Sequence, residues 1–471
     1  MSGSKNQMPN THHYHLIGIG GIGMSAIAIA LLKTGNSVSG SDIGRNKEIE
    51  KLQKLGATIF YDQQKENIKQ ISKKYYSEKI EIVISSAIKK NNEELNYCIE
   101  NKFCIRHRSE ILSEIMQNYT SIGVAGTHGK TSTTTFISTL MELCTNDISS
   151  IVGGIQPIYD SNSHIKDSKF IVAEIDESDG STKIYKSDLG IITNIDFDHC
   201  DHFKNIDETI ITFKKFASNS EKLLANYDCN VIKTNLKPEF YWSIEEIENV
   251  HYSLIAKELN KHFTLADYYE MGKHIDAIKI PIPGMHNLSN ISAAIAACRI
   301  YGVSFEKIKK NINFLKLPKK RFEIRGNFHN REIIDDYAHH PNEIRETIKL
   351  AKLFINKSIN KRRLVVIFQP HRYSRVEKFS KEFGNELAEA DVIILTKIYS
   401  AGEKNINNIN SKLILDKIIK KNKIILYLKD NNEIKKEFFN ITQKGDLVLN
   451  LGAGNCHQLW SILNKNILQK K

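Results

Sequence analysis

Short runs of apolar, largely β-branched residues recur along the chain, separated by stretches with helical spacing. The runs predicted to form buried parallel strands are 14–19, 80–85, 121–125, 170–175, 190–195, 332–334, 364–368, 391–395, 424–428 and 446–451. Helices are predicted between most of them, for example at 24–33, 130–143 and 341–354. Because strand and helix alternate along the chain, the pattern predicts an α/β fold built from doubly wound sheets.

Glycine-rich turns between a strand and a helix indicate where new sheets begin. One such turn follows the predicted strand that ends near residue 19, and another follows the strand that ends near residue 125. A third block begins after the segment LPKKRFEIRG at 317–326. These positions predict three domains, with boundaries that give 1–116, 117–318 and 319–471.

Length and composition agree with three globular domains. At roughly 150 residues per domain, a chain of 471 residues corresponds to about three. Hydrophobic residues make up 41% and charged residues 25% of the chain, which is enough apolar material for sizeable cores and excludes a mainly disordered protein.

Charge alone leaves the class of partner open. Lys and Arg number 66 against 54 Asp and Glu, a formal net charge of +12 that suits nucleic acid, membrane surfaces or anionic metabolites. The basic residues are scattered without a run of five or more, so neither nucleic acid nor a membrane is an expected partner.

The spacing of the cysteines and the first apolar stretch indicate in which cellular compartment the protein is expected. The seven cysteines show no CxxC spacing, so reduced thiols are expected and not a disulfide framework or a zinc ribbon. The uncharged stretch 16–32 is interrupted by glycines at 18, 20, 21 and 23, which is typical of a strand, a turn and a helix and not of a signal peptide or membrane span. A cytoplasmic protein is therefore expected.

The first glycine loop has the spacing of a nucleotide-binding turn. Gly18, Gly20 and Gly23 form GxGxxG directly after an apolar strand and before a helix. Glycines there allow a tight turn and close approach of backbone to phosphate, while the helix N-terminus offers free N–H groups. Asp42 follows the next strand, at about the distance expected for a residue that meets a ribose or base. The loop predicts a site for a nucleotide diphosphate, but it does not show which nucleotide is bound. The alternative is a turn with a purely structural role.

The second glycine loop predicts a nucleoside triphosphate site. Its sequence GTHGKT at 126–131 follows a strand and opens a helix, with two residues between its glycines where the full GxxxxGK[ST] spacing has four. Backbone N–H groups would wrap the phosphates, Lys130 would reach the outer phosphates, and the Thr131 hydroxyl would ligate Mg²⁺.

Acidic side chains follow the next two predicted strands and suit a magnesium ion beside that loop. They are Glu174, Asp176, Glu177, Asp179, Asp196, Asp198 and Asp201, accompanied by His199 and His202. Solvated turn acids are the alternative. A zinc site in the segment 199–202 is disfavoured, because adjacent residues are too close along the chain for tetrahedral closure.

Together the loops and several later segments resemble the Mur ligases of peptidoglycan synthesis. The segments that carry the resemblance, in chain order, are HLIGIGGIGMS, GTHGKT, AEIDESDGS, TNIDFDH, PGMHNLSNISAAIAA, KRFEIRG, IIDDYAHHP, FQPHRYSR, YSAGE and LNLGAGN. Any one of them is weak evidence, but ten in the same order over nearly the whole chain are highly specific.

The resemblance implies a three-domain architecture and a reaction. A Rossmann-like N-terminal domain would bind a UDP-sugar, a central P-loop ATPase-like domain would bind ATP, and a Rossmann-like C-terminal domain would bind an amino acid. The enzyme would join the lactyl carboxylate of UDP-N-acetylmuramate to L-alanine through an acyl phosphate, with release of ADP and phosphate. Phosphoryl transfer between anions needs clustered cations and metal more than a protein nucleophile.

The resemblance also implies roles for individual residues. Lys130, Glu174 and His199 would be catalytic, and Thr131, Glu174 and His199 would ligate magnesium, with two ions expected. The residues implied around ATP are Gly126, Thr127, His128, Gly129, Lys130, Thr131, Ser132, His286, Asn287, Asn290 and Arg321. Those implied around the UDP-sugar are Gly20, Gly21, Ile22, Gly23, Asp42, Ser86 and Arg108. Those implied to meet the alanine and muramyl groups are Asp336, Tyr337, His339, His371, Arg372 and Arg375.

Three other functions compete with this interpretation. A related ligase that recycles an intact murein tripeptide shares the architecture, and the amine pocket cannot be drawn from sequence. A nicotinamide-dependent dehydrogenase built on the first loop leaves GTHGKT and its acids without a role. A non-catalytic nucleotide-binding protein is disfavoured by the presence of Lys130, Glu174 and His199 together.

Overall fold

The first sheet is formed by the N-terminal segment. In the computed structural model, which describes residues 12–355, 362–419 and 424–468, its strands are β1 His13–Ile17, β2 Ser37–Ser41, β3 Thr58–Phe60, β4 Ile80–Ile84 and β5 Cys104–His107. The helices are α1 Ile22–Lys33, α2 Lys47–Lys54, α3 Lys65–Ser72, α4 Glu93–Glu100 and α5 Arg108–Met116, with a 3-10 turn at Ser77–Lys79. All pairings are parallel in the order β3-β2-β1-β4-β5, so the strand order reverses beside the glycine loop that follows β1.

The second sheet is the largest in the described part of the chain. Its strands are β6 Thr120–Ala125, β7 Ile148–Gln156, β8 Ser161–His164, β9 Phe170–Glu174, β10 Ser187–Ile192, β11 Ser220–Asn226, β12 Phe240–Ser243, β13 Tyr252–Leu259, β14 Thr264–Glu270 and β15 Lys273–Ile280. The helices are α6 Lys130–Thr145, α7 Ile206–Ser218, α8 Asn230–Asn235, α9 Met285–Ile300 and α10 Phe305–Asn311, with 3-10 turns at Ser181–Ile184 and Ile312–Phe314. The order is β15-β14-β13-β12-β11-β10-β6-β9-β7-β8.

The alternation of strand and helix does not hold along the whole chain. Between 240 and 280 four strands follow one another without a helix, and β13, β14 and β15 pair antiparallel. Residues 260–263 join β13 to β14, and the turn at 271–272 joins β14 to β15, with φ +50° at Met271 and +78° at Gly272. Buried and partly exposed residues alternate along β14, so that one face of the strand is buried, as expected for an antiparallel strand near the edge of a sheet.

The third sheet is formed by the C-terminal segment. Its strands are β16 Glu323–Asn327, β17 Glu332–Asp336, β18 Leu364–Phe368, β19 Val392–Leu395, β20 Ile424–Tyr427 and β21 Leu447–Leu451. The helices are α11 Pro341–Ile355, α12 Tyr373–Leu387, α13 Lys412–Leu415, α14 Asn431–Ile441 and α15 Leu459–Leu468, with a 3-10 turn at Cys456–Gln458. The order is β16-β17-β21-β18-β19-β20, and all pairings are parallel except that of β16 with β17.

The α/β prediction is confirmed, and the predicted strands lie close to the observed ones. The strand predicted at 364–368 has those bounds, whereas the one predicted at 14–19 runs from His13 to Ile17. Gly18 ends that strand because its φ of +78° starts the glycine turn. All seven cysteines are free thiols. Within the described ranges, every helix is too short or too polar to cross a membrane.

Candidate active site

The second glycine loop joins β6 to α6, and two of its glycines are required by space and backbone conformation. Gly126 has φ +136° and Gly129 has φ +83°, and residues with a side chain rarely adopt these backbone angles. A Cβ at Gly126 would collide with the Thr193 hydroxyl, and one at Gly129 would collide with the Asn290 side chain. The loop is therefore pressed against Thr193, just after β10, and against Asn290 of α9. Asn194 accepts the N–H of Thr127 with its backbone oxygen at 3.1 Å and the N–H of His128 with its side-chain oxygen at 2.9 Å.

Lys130 lies at the first position of α6 with its ammonium folded over the loop. Its Nζ donates hydrogen bonds to the carbonyl oxygens of Gly126 at 2.6 Å and Thr127 at 3.1 Å. Nζ also lies 2.7 Å from Glu177 Oε2. Burial lowers the pKa of Lys130, but the charges of Glu177 and Asp176 outweigh it and raise that pKa. The lysine is therefore a charged group whose counter-ion is a buried carboxylate.

Thr131 and Glu174 place two oxygen atoms that can ligate a metal side by side beneath the loop. The Thr131 hydroxyl donates to Glu174 Oε1 at 2.9 Å, and the Gly153 N–H donates to Glu174 Oε2 at 2.6 Å. Burial raises the pKa of Glu174, against the charge of Lys130. A hydroxyl and a buried carboxylate are ligands that Mg²⁺ prefers, so the pair fits such an ion.

Glu177 connects Lys130 to His199; the sequence grouped it with the acids that suit magnesium and gave it no individual role. His199 Nε2 lies 3.4 Å from Glu177 Oε1. Burial lowers the pKa of His199, but Glu177 and Asp198 outweigh it and raise that pKa. The only signal for Glu177 in the sequence was its place among the acids that follow the strand, one residue after Asp176. Within the described residues, segment 199–202 does not supply three ligand atoms close enough to hold a metal.

A cavity of about 670 Å³ lies between the central and C-terminal domains beside the second glycine loop. That volume suits a nucleotide-sized ligand. The ATP residues implied by the resemblance that line it are His128, Gly129, Ser132, His286, Asn287, Asn290 and Arg321. The C-terminal domain contributes Phe322, Asp336 and Glu346 to the wall. The cavity is therefore complete only when both domains are in place.

Two of the cavity residues differ in what they can offer a ligand. Burial lowers the pKa of His286 to about 4, and its buried Nδ1 has no hydrogen-bond partner in the described chain. That nitrogen is available to a ligand. The Asn287 side chain instead donates to the Pro283 carbonyl oxygen at 2.8 Å, within its own turn.

The C-terminal face brings together the residues implied to meet the amine and muramyl groups. Asp336 accepts hydrogen bonds from the N–H groups of Phe322 and Ala338, both at 2.7 Å, and burial raises its pKa. The His339 and His371 rings lie 5.4 Å apart, and burial lowers their pKa values to about 4 and about 2.

Three further residues of this face are engaged with neighbouring groups. The centre of the Tyr337 ring lies 5.4 Å from the Arg321 guanidinium. Arg375 donates from Nε and Nη2 to Asp198 Oδ1 at 2.9 and 2.8 Å, and Arg372 pairs with Asp201. Both arginines thus bind acids of the central domain in this structure.

The first glycine loop is held by its own predicted ligand residue. Gly20 N–H donates to Asp42 Oδ2, and Gly44 N–H donates to Asp42 Oδ1, both at 2.9 Å. A Cβ at Gly23 would lie 2.9 Å from Arg108 Nη1, so the guanidinium packs over that glycine. Gly21 and Ile22 complete the turn into α1.

Arg108 and Ser86 also reach the central domain. Arg108 Nη2 donates to Asp176 Oδ2 at 2.6 Å, and the Ser86 hydroxyl donates to Asp179 Oδ2 at 2.5 Å. The Asp176 carboxylate faces the charges of Arg108, Lys130 and His199, which lower its pKa against the effect of burial. One acid therefore lies between the first glycine loop and the second.

Glu343, at the start of α11, is a second residue that sequence reasoning missed. Its Oε2 accepts the N–H of His339 at 3.0 Å, while its Oε1 lies 3.4 Å from His128 Nδ1 and 3.8 Å from Arg321 Nη1. Burial raises its pKa, but the cationic His128 and Arg321 lower it well below the usual range. This carboxylate connects the second glycine loop with the C-terminal domain.

Comparison with known proteins finds matches to three domain models of one family along the chain. Residues 13–120 match the model of the Mur ligase family, catalytic domain; 124–298 match the Mur ligase middle domain; and 320–454 match the Mur ligase, glutamate ligase domain. A UDP-N-acetylmuramate–L-alanine ligase of Prochlorococcus marinus subsp. pastoris is 60% identical over 97% of this chain and 98% of its own length. A ligase of the same name from another Prochlorococcus marinus strain is 45% identical over 97% of this chain and 98% of its own length.

The fold has a solved counterpart. The crystal structure of a UDP-N-acetylmuramate-alanine ligase from Thermotoga maritima superposes with a TM-score of 0.81, covers 98% of this chain and 100% of its own, and is 24% identical. That likeness supports the three-domain α/β architecture.

Proposed function

The chain belongs to the Mur ligase family, and we propose that it joins L-alanine to UDP-N-acetylmuramate at the expense of ATP. The lactyl carboxylate takes the γ-phosphoryl group of ATP to form an acyl phosphate, and the amine of alanine then displaces phosphate. The products are UDP-N-acetylmuramoyl-L-alanine, ADP and phosphate, an early step in peptidoglycan synthesis. The 60% and 45% identical relatives carry the name of this activity.

The observation that carries the proposal is the meeting of the two glycine loops at Asp176. Its carboxylate binds Arg108, which packs over the first loop, and faces Lys130 of the second. A ligase that phosphorylates a UDP-sugar carboxylate must bring the γ-phosphoryl group of one nucleotide to the sugar arm of another. A dehydrogenase has no use for the second loop.

Phosphoryl transfer in this site relies on charge and positioning. The Lys130 ammonium is already desolvated and folded over the loop, where it pairs with Glu177. When ATP binds, this ammonium leaves Glu177 and pairs with the triphosphate. Aimed at the outer phosphates, it neutralises charge that develops on the γ-phosphoryl oxygens. Closure of the C-terminal domain excludes water, which protects an acyl phosphate from hydrolysis.

The residues present fit magnesium. We propose that Thr131 and Glu174 hold one Mg²⁺, since they form an oxygen pair 2.9 Å apart. His199, 3.4 Å from Glu177, is the proposed ligand for a second ion. Magnesium would supply neutralisation of phosphate charge and alignment of the γ-phosphoryl group. A histidine is an unusual ligand for so hard an ion, so this second assignment depends on the resemblance.

The C-terminal face is the proposed site for the amine. Arg375 and Arg372, now paired with Asp198 and Asp201, are the cations suited to the alanine carboxylate by paired hydrogen bonds. His339 and His371 stay neutral at physiological pH, because burial lowers their pKa values. A neutral imidazole leaves the attacking amine free of a competing cation.

The domain boundaries, the compartment and the class of substrate follow from the same proposal. We propose domain boundaries at 116/117 and 318/319, since each sheet lies wholly on one side of them. We propose the cytoplasm as the compartment, because ATP and the UDP-sugar are cytoplasmic metabolites, and small molecules as the substrates. The murein-tripeptide alternative finds no support in the curated relatives described above.

Release of phosphate tests the proposal. Purified chain with ATP and Mg²⁺ should release phosphate only when UDP-N-acetylmuramate and L-alanine are both present. Omission of either substrate is the control. Phosphate release that needs neither substrate, or no release with both, would contradict the assignment.

A further inference from the structure

Three potential metal ligands meet at the boundary of the central and C-terminal domains. His128 Nε2 lies 3.4 Å from Asp196 Oδ2, and His340 Nδ1 lies 3.9 Å from the same oxygen. The three ligand atoms all lie within 4.8 Å of one another. His128 and Asp196 belong to the central domain, whereas His340 precedes α11 of the C-terminal domain.

The second heteroatom of each ligand is already held by a neighbour. His128 Nδ1 faces Glu343 Oε1 at 3.4 Å, and His340 Nε2 lies 3.2 Å from the Phe197 carbonyl oxygen. Asp196 Oδ1 accepts the Phe197 N–H at 2.8 Å. Of the proposed ligand atoms, Asp196 Oδ2 accepts from the Asn342 side chain, and His340 Nδ1 accepts the Asn342 N–H at 3.4 Å. Outer partners of this kind orient imidazole and carboxylate ligands in metal sites.

His128 Nε2 is the least satisfied atom of the group. It is buried and makes no hydrogen bond in the described chain, although Asp196 is only 3.4 Å away. Buried polar atoms normally find a partner, so an unpaired ring nitrogen aimed at a carboxylate and a second imidazole points to a bound group between them.

We propose that His128, Asp196 and His340 bind one divalent ion of the late transition series, of which Zn²⁺ is the representative. Two imidazoles and a carboxylate favour such an ion over Mg²⁺ or Ca²⁺, which prefer all-oxygen sites. Ligands about 2.1 Å from a tetrahedral zinc lie about 3.4 Å apart. The two separations from Asp196 Oδ2, 3.4 and 3.9 Å, are close to that requirement, and the two imidazole nitrogens lie within 4.8 Å of each other.

The site differs from the proposed magnesium site in ligands and in consequence. Thr131 and Glu174 belong to the central domain alone, whereas the His128, Asp196 and His340 site spans two domains. A bound ion would hold α11 against the second glycine loop and so stabilise the arrangement that completes the nucleotide cavity. The competing occupant is a proton on His128 Nε2, which would face Asp196 Oδ2 at 3.4 Å.

Cobalt titration tests this proposal without activity as the readout. Co²⁺ is added to chelator-treated chain and its visible d–d absorption is recorded, followed by displacement with Zn²⁺. We expect one equivalent in the natural chain and its loss in His340→Gln and Asp196→Asn. Glu343→Gln, which removes only an outer partner, should weaken binding by about 10- to 100-fold. His262→Gln, at an exposed loop histidine, is the matched control and should bind normally.

The outcomes separate this site from its neighbours. Equal Co²⁺ binding by the natural chain, His340→Gln and Asp196→Asn would overturn the proposal, and so would no binding at all, which would leave the proton as the occupant. Loss of the signal in Glu174→Gln would assign the ion to the magnesium site, and thiolate charge-transfer bands would assign it to cysteine. Circular dichroism of each variant confirms that the fold is intact.

Discussion

The charge of His128 should make the stability of the central domain depend on pH. Burial lowers the pKa of His128, but Asp196 and Glu343 outweigh it and raise the value from 6.5 to about 9. A pKa that folding raises gives stability that is complete below the unfolded value and is lost as pH rises through the folded value. The stabilisation is therefore full below pH 6.5 and disappears through about pH 9.

The magnitude follows from the size of that shift. At about 1.4 kcal/mol per pKa unit, a rise from 6.5 to about 9 corresponds to roughly 3 kcal/mol. The side chain is 17% exposed, so solvent screens the imidazolium only in part. The His128→Gln variant removes the titrating group, and subtraction of its stability cancels other groups that titrate in the same range.

Urea unfolding between about pH 6 and pH 10 measures the effect. Trp242 is buried in the central domain, so a Trp460→Phe background makes its fluorescence report that domain. A chelator is present so that only a proton occupies His128. The difference in unfolding free energy between His128 and His128→Gln should fall by roughly 3 kcal/mol as pH rises. A difference that is flat, or that grows with pH, would refute the reasoning.

Three further substitutions test other parts of the site. Lys130→Ala should lower kcat for phosphate release by about 10²- to 10³-fold, because it removes a charge aimed at the transition state; near-natural turnover would contradict the role given to the second loop. Glu174→Gln should raise the Mg²⁺ concentration needed for half-maximal activity, since an ionised ligand is lost, and an unchanged Mg²⁺ titration would count against it. Asp198→Asn leaves the buried Arg375 guanidinium unpaired and should cost about 3–5 kcal/mol in urea unfolding; an unaltered midpoint would show that the pair contributes nothing.

The predicted apolar runs correspond to ten of the 21 strands in the described part of the chain, because such runs depend only on neighbours in sequence. The strand at 364–368 and the helix that starts at Lys130 follow from short apolar runs and a glycine turn. The antiparallel strands between 252 and 280 were missed, since their polar alternation and short turns give no apolar run of the kind used to find buried strands.

Contacts between domains were beyond the sequence. Arg375 lies 177 residues from Asp198, and nothing local in either segment indicates that the two side chains pair. Glu343 follows the segment DDYAHHP as an ordinary helix residue, yet its position at the N-terminus of α11 places it against His128. Which acid binds which cation is decided by the docking of separately folded sheets, and motif spacing carries no information on that.

A panel of amine substrates tests the central claim most directly. Phosphate release with ATP, Mg²⁺ and UDP-N-acetylmuramate is measured with L-alanine, glycine, L-serine and the murein tripeptide in turn. The account predicts L-alanine as the preferred amine, with glycine and serine weaker by the about 1–3 kcal/mol that a small methyl pocket provides. Preference for the tripeptide, with alanine inert, would contradict it.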